Sequence, residues 1–144
     1  MVEKAALDKL QAEAQRAKVS EIQVKTFMNK NIIKIREGTK IYSAVQTLAT
    51  HRISGAPVVN ASEQLIGVVS EYDLLLQTAV KDVLQPIEFV RDPISITPET
   101  PIRDVIIIFY KKKLRWLPVV GPGQMVEGIV TRLDILNKLL SKGK

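Results

Sequence analysis

Two residue pairs in this chain have the types and spacing of a working site: Ser70 with Asp73, and Thr131 with Asp134. A hydroxyl three residues ahead of a carboxylate at a helix start can do two things. As a capping box, both side chains only satisfy the free N–H groups of the first turn. As a ligand site, the carboxylate accepts from paired hydroxyls through strong charge-assisted bonds, and the helix amides stand beside an anion. Both readings stay open on the pairs alone.

Other chemistry is sparse. The chain has no cysteine, which removes disulfides, thiolate nucleophiles and thiolate metal sites. A lone histidine, His51, removes the usual Ser-His-Asp triads and histidine-rich metal cages. The carboxylates form no paired set with a nucleophile or metal signature, so no catalytic and no metal-binding residue is assigned, and an enzyme is the least expected reading. The formal charge is +6, and its one cluster is Lys111-Lys112-Lys113-Leu114-Arg115. A polyanion could meet that cluster, but no aromatics interleave it, so nucleic acid is not the expected partner. Apolar residues make up 46% of the 144, a globular composition for one ordinary domain. The polar stretch Met1–Lys18 holds no apolar run of a secretory signal, and no segment approaches a membrane span. A reducing cytoplasm is the expected compartment.

The two pairs sit at matching places in a repeat. Residues 33–75, moved forward by 61, fall on 94–136 without a gap, and eleven positions are identical. About three would be expected from average residue usage. The identities include Ile35/Ile96, Thr39/Thr100, Pro57/Pro118, Gly67/Gly128, Val69/Val130 and Asp73/Asp134. Each copy reads as a short strand (Ile32–Ile35; Ile94–Ile96), a helix, two strands (Ala56–Val59 with Leu65–Val69; Leu117–Val120 with Val126–Val130) and a closing helix. Thr39 and Thr100-Pro101 are expected to open the first helices, by capping and by proline at the first helical position. The unit is β-α-β-β-α, and the fold class is α/β (α+β). A repeat of this length cannot bury its apolar face alone, so the copies should pack together with pseudo-two-fold symmetry and leave a cleft for a ligand.

The run Val105–Tyr110 prefers strand residue by residue, yet its repeat mate Ala44–Ala49 has helical spacing. Both are therefore assigned as helices. A helix apolar all round needs cover all round, which is the main reason to expect a homodimer. Ahead of each copy, Val24–Met28 resembles Val80–Leu84 at an offset of 56, which makes residues within Gln85–Asp92 an inserted surface loop. Residues 3–18 are expected to form a helix whose stripe of Leu7, Leu10, Ala14 and Ala17 must dock somewhere. The organisation is 1–22 amphipathic helix, 23–79 first repeat, 80–140 second repeat and 141–144 basic tail.

The order of strand, helix, apolar-Pro-Val-Val and Gly-x-x-x-Ser/Thr-x-x-Asp, twice over, resembles a tandem pair of cystathionine-β-synthase (CBS) domains, a Bateman module. The resemblance covers residues 24–140. It rests on Ile53–Val59 with Gly67–Asp73, and on Leu114–Val120 with Gly128–Asp134. It implies a regulatory module that binds AMP, ADP, ATP or S-adenosylmethionine between the repeats, with magnesium only as a companion of nucleotide phosphates. It also implies a homodimer through the helices and an unknown protein target. Carried over, Asp73 and Asp134 would hold ribose hydroxyls, with Ser70 and Thr131 near ribose or phosphate. Arg115, then Lys113, would meet phosphate, for which guanidinium is suited bidentately. Ile35, Ile53, Ala56, Pro57, Ile96, Leu117 and Pro118 would wall an adenine pocket or fill the core. Trp116 is expected in core or interface sooner than stacked on adenine. The alternative function is a ligand-free scaffold that dimerises and binds protein.

Overall fold

The computed structural model describes residues 2–13 and 21–141. In chain order the elements are α1 (Val2–Glu13), β1 (Ile35–Arg36), α2 (Ile41–His51), β2 (Gly55–Val59), β3 (Leu65–Ser70), α3 (Glu71–Val80), β4 (Val90–Arg91), α4 (Ile102–Lys112), β5 (Trp116–Val120), β6 (Val126–Thr131) and α5 (Arg132–Ser141). The order is the expected one, including the helical assignment of Val105–Tyr110, except at the second copy's first strand: β4 lies at Val90–Arg91 and pairs with β3, while of the expected Ile94–Ile96 only Ile96 is paired, in a single bridge to Val119. On α4 the side chains of Ile102, Val105 and Phe109 are buried, and Ile106 and Ile108 pack partly against the same core. Of the amino-terminal stripe, Leu7 is half-buried on α1, which lies against α4. The side chain of Leu10, together with Ala14, Ala17 and Lys18, lies outside the described residues.

The chain divides into two compact units. One holds residues 32–94 with 122–126; the other holds 2–13, 21–31, 95–121 and 127–141. The copies along the sequence and the units in space are therefore cut differently. The segment that precedes the first copy packs with the second, and the turn between β5 and β6 packs with the first, where Gln64 Nε2 donates to the Gly123 carbonyl at 3.1 Å.

In the first unit the strands run β1-β2-β3-β4. Strands β1 and β2 are parallel, with Ile35 opposite Val58, and the other pairs are antiparallel, with Gly55 opposite Ser70 and Val68 opposite Val90. Alternation along the strands sends Ile35, Ala56, Val58 and Val69 toward α2 and α3, where they meet Ile41, Ala44, Leu48 and Leu74. The second unit repeats this order around β5-β6, its outer strands reduced to the bridges Ile96–Val119 and Asn29–Ile129. Its core joins Val24, Ile96, Ile102, Val105, Leu117, Val119 and Ile135.

The lead-in segments correct two expectations. Val24 matches Ile87, and not Val80. Val24 is fully buried and its amide donates to the Thr100 carbonyl; Ile87 is buried and donates to the Thr39 carbonyl, the same place in the other copy. Val80 and Leu84 are 80% and 60% exposed. The offset of 56 thus aligned a helix end with a core segment. Residues 86–90 are the second lead-in and not an insertion: mostly exposed, they are anchored by buried Ile87 and by the buried Gln77, which donates to the Glu88 carbonyl at 2.9 Å and accepts from its amide at 2.7 Å. The second correction follows from the same contacts. Thr39 and Thr100 do not cap α2 and α4, and Pro101 stands at the cap itself, one residue before the first helical position. The first amides are already taken, Ile41 donating to Gln85 O and Ile102 to Ile22 O. The threonine hydroxyls turn back instead, Thr39 Oγ1 donating to Arg36 O at 2.6 Å and Thr100 Oγ1 accepting from the Thr97 amide at 3.0 Å.

Candidate functional site

Strand β3 runs straight into α3, and β6 into α5, so Ser70 and Thr131 fall where extended backbone becomes helix. Each places its side chain at the exposed amides of the first turn. Ser70 Oγ accepts from the Asp73 amide at 3.1 Å, and Asp73 Oδ2 accepts from the Ser70 amide at 3.1 Å. Thr131 Oγ1 accepts from the Asp134 amide at 3.1 Å, and Asp134 Oδ2 from the Thr131 amide at 2.9 Å. Both pairs are complete capping boxes. All four side chains are half-buried, and among the described residues Oδ1 of each aspartate accepts no hydrogen bond. The geometry therefore uses one carboxylate oxygen for the helix and leaves the second to another partner.

The β2–β3 register brings Ser54, Gly55 and Ala56 beside the first box: Gly55 lies opposite Ser70, and the Glu71 amide donates to Ser54 O at 2.8 Å. In the other unit Arg115 is exposed just ahead of β5. Lys113 ends α4 in the left-handed region at φ 54°, exposed, its ammonium 5.3 Å from the centre of the Tyr110 ring. Ile35, Ala56, Ile96 and Leu117 are at most 4% exposed and belong to the two helix-facing cores. Pro57 and Pro118 are buried on the strands between them, and Trp116 is half-buried at the start of β5. Ile53 is half-buried and borders an apolar groove of about 440 Å³ between α2 and α3. His51 is tied to its own helix through Nδ1, 2.9 Å from Thr47 O.

One cluster escaped the sequence reading. Lys34 and Arg36 leave β1 on the side opposite buried Ile35, and both reach Glu63 in the β2–β3 turn, at 2.8 and 2.6 Å. Hydrogen bonds from Lys34 and then Arg36 hold the Glu63 carboxyl below the ordinary glutamate range. With Thr47 and His51 they line an open hollow of about 420 Å³. The alternation Lys-Ile-Arg was the available signal, since a period of two puts both cations on one face; the turn glutamate has no counterpart in the repeat, where Gln124 stands. Among the described residues no group of three or more His, Asp or Glu is placed to hold a metal ion. No helix among them is long and apolar enough to cross a membrane.

Comparison with known proteins agrees with this geometry. The CBS domain model matches twice, over residues 19–78 and 80–141. The uncharacterized protein MJ1225 of Methanocaldococcus jannaschii is 34% identical over 121 residues, 81% of this chain and 42% of that protein. The A-adding tRNA nucleotidyltransferase of Aquifex aeolicus is 35% identical over 122 residues, 83% of this chain and 14% of the enzyme. The chain thus spans less than half the length of these relatives. Among solved structures, CBSX2 in complex with AMP superposes with a TM-score of 0.76 at 26% identity, covering 85% of this chain and 98% of that one. The CBS domain pair of MJ0100, in complex with 5′-methylthioadenosine and S-adenosyl-L-methionine, gives 0.72 at 27% identity, covering 85% and 98%. With both motifs present in both copies and two matched domains end to end, the chain belongs to the CBS domain family as a tandem pair.

Proposed function

We propose that this chain is a regulatory module that binds an adenosine-containing ligand (AMP, ADP, ATP or S-adenosylmethionine) in the cleft between its two CBS domains. It acts as a cytoplasmic homodimer and passes the occupancy signal to a partner protein; it is not itself an enzyme. The observation that carries the reading is the matched pair of capping boxes, each with Oδ1 of Asp73 or Asp134 left for a ligand. A carboxylate anchored at Oδ2 is already oriented, so accepting from the ribose hydroxyls costs little side-chain entropy. Ser70 and Thr131 stand beside the same ligand, and exposed Arg115 and Lys113 neutralise its phosphates, with magnesium as their companion. The AMP on CBSX2 and the S-adenosyl-L-methionine on the MJ0100 pair support the ligand class. Binding regulates only if the ligand has different affinity for two arrangements of the module.

A ligand-free scaffold is the second reading, favoured by the fact that all four side chains already serve as helix caps. Calorimetric titration with the four ligands separates the two. Micromolar heat that falls at least about tenfold in affinity in Asp73→Asn or Asp134→Asn, with melting temperature kept, is the expected result, because asparagine retains the cap and loses the charge. No heat and no thermal shift at millimolar ligand would leave the scaffold.

A further inference from the structure

The Glu63 cluster has no counterpart in the second copy, although its frame does. The apolar floor of its hollow repeats, Ile33 and Val59 matching Ile94 and Val120. Every polar wall residue is exchanged. Lys34, Arg36, Thr47, His51 and Glu63 stand where the second copy has Ser95, Thr97, Ile108, Lys112 and Gln124. The second copy forms its helix and hairpin without these five, so the fold does not require them. Stability gives no stronger reason for them, because exposed ion pairs add only about 0–1 kcal/mol. Polar groups drawn from a strand, a helix and a turn onto one apolar floor have the make-up of a ligand site.

The wall chemistry selects the ligand. Glu63 divides its carboxylate, Oε1 accepting from Lys34 Nζ at 2.8 Å and Oε2 from the Arg36 guanidinium at 2.6 Å. One negative charge thus faces two positive ones, and the guanidinium keeps donors that Glu63 does not use. His51 Nδ1 donates to the Thr47 carbonyl at 2.9 Å, since a carbonyl only accepts, and its Nε2 is left for a ligand. A phosphate group answers all three: it carries close to two charges at neutral pH, and its oxygens fit the arginine fork. Ile32, Ile33 and Val59 beside the cations suit an apolar group joined to that phosphate.

We propose that Lys34, Arg36 and His51 bind a phosphate group in this hollow, and that Glu63 is the internal anion the phosphate displaces. The site shares no residue with the boxes Ser70–Asp73 and Thr131–Asp134, and it stands whether or not they bind adenosine.

Residue-resolved NMR titration of the full chain at low salt, with inorganic phosphate and with phenyl phosphate, tests this; neither probe carries adenosine. Saturable shifts are expected at residues 32–36, 47–51 and 60–64. Arg36→Ala should weaken binding at least about tenfold, the weight of a hydrogen bond to a charged group. Glu63→Gln should tighten it about fivefold, the weight of one exposed ion pair. Tighter binding of phenyl phosphate assigns the hollow to an organic phosphate ester, and equal affinity assigns it to the free ion. Shifts that fail to saturate, that persist in Arg36→Ala, or that gather at residues 113–115 instead would overturn the proposal. Weaker binding in Glu63→Gln would overturn the displacement. Asp73→Asn and Asp134→Asn should leave these shifts unchanged, which separates a failure here from a failure of the nucleotide reading.

Discussion

Gly67 on β3 and Gly128 on β6 hold equivalent places, and each is pressed by a side chain from the segment ahead of a copy. A Cβ on Gly67 would meet the Phe89 ring and lie 2.5 Å from the Val90 carbonyl oxygen. For a Cβ on Gly128 the nearest atoms would all belong to the Met28 side chain, its sulfur at 2.6 Å. The glycine is identical in the two copies while its neighbour is an aromatic in one and a thioether in the other. What the fold repeats is therefore the close approach of a lead-in strand, and the side chain that fills the space is free to differ. The same holds one turn earlier, where Val24 and Ile87 share a job without sharing a sequence context.

Breaking that shared job should give the largest effect. Ile87→Ala is expected to cost about 2–5 kcal/mol in denaturant melts, while Val80→Ala and Leu84→Ala stay within about 0.5. A large loss at Leu84 would restore the rejected alignment. Next comes the glycine pair. Gly67→Ala should cost about 1–3 kcal/mol because a backbone carbonyl must move, and Gly128→Ala clearly less because a thioether can swing aside. Equal losses would mean that the second unit is as tightly closed as the first. The caps rank third: Ser70→Ala and Thr131→Ala should each cost about 1 kcal/mol without ligand, a matched pair reporting matched boxes.

The smallest effect concerns Glu63 and its neutral counterpart Gln124, both in the left-handed region at φ 65°. Lys34 and Arg36 depress the Glu63 pKa. Its contribution is thus present above the ordinary glutamate pKa and is lost as the pH falls through the depressed folded value. Glu63→Gln should lower stability slightly at neutral pH, where the contribution is present, leave the low-pH end unchanged and so flatten the acid limb, a small effect for a partly exposed ion network. An unaltered acid limb would show that the two turns are electrostatically equivalent.

Much of this was legible in the residues. The repeat at 61, the helical nature of Val105–Tyr110 and both boxes followed from identity and spacing, because cap chemistry is local and period is visible in a line. The lead-ins were not legible. Gln23-Val24 and Pro86-Ile87 perform one role at an offset of 63 with no residue in common, and their partners are backbone carbonyls that any sequence supplies. The misread threonines fail for that reason too: a distant carbonyl had taken the amide that local chemistry would have capped. The Glu63 cluster needed a turn folded back on a strand, a contact no spacing encodes.

The crossed lead-ins also set an order on synthesis. Asn29 leaves the ribosome early, yet its partner Ile129 is among the last residues of the second copy to emerge. The first unit waits as well, for residues 122–126. Neither half has its full set of contacts before residues 122–129 have emerged, so a cut between residues 79 and 80 should yield two fragments that each lack a piece of their own core. Two domains that look like beads on a string when written as sequence each take part of their packing from the other's stretch of chain.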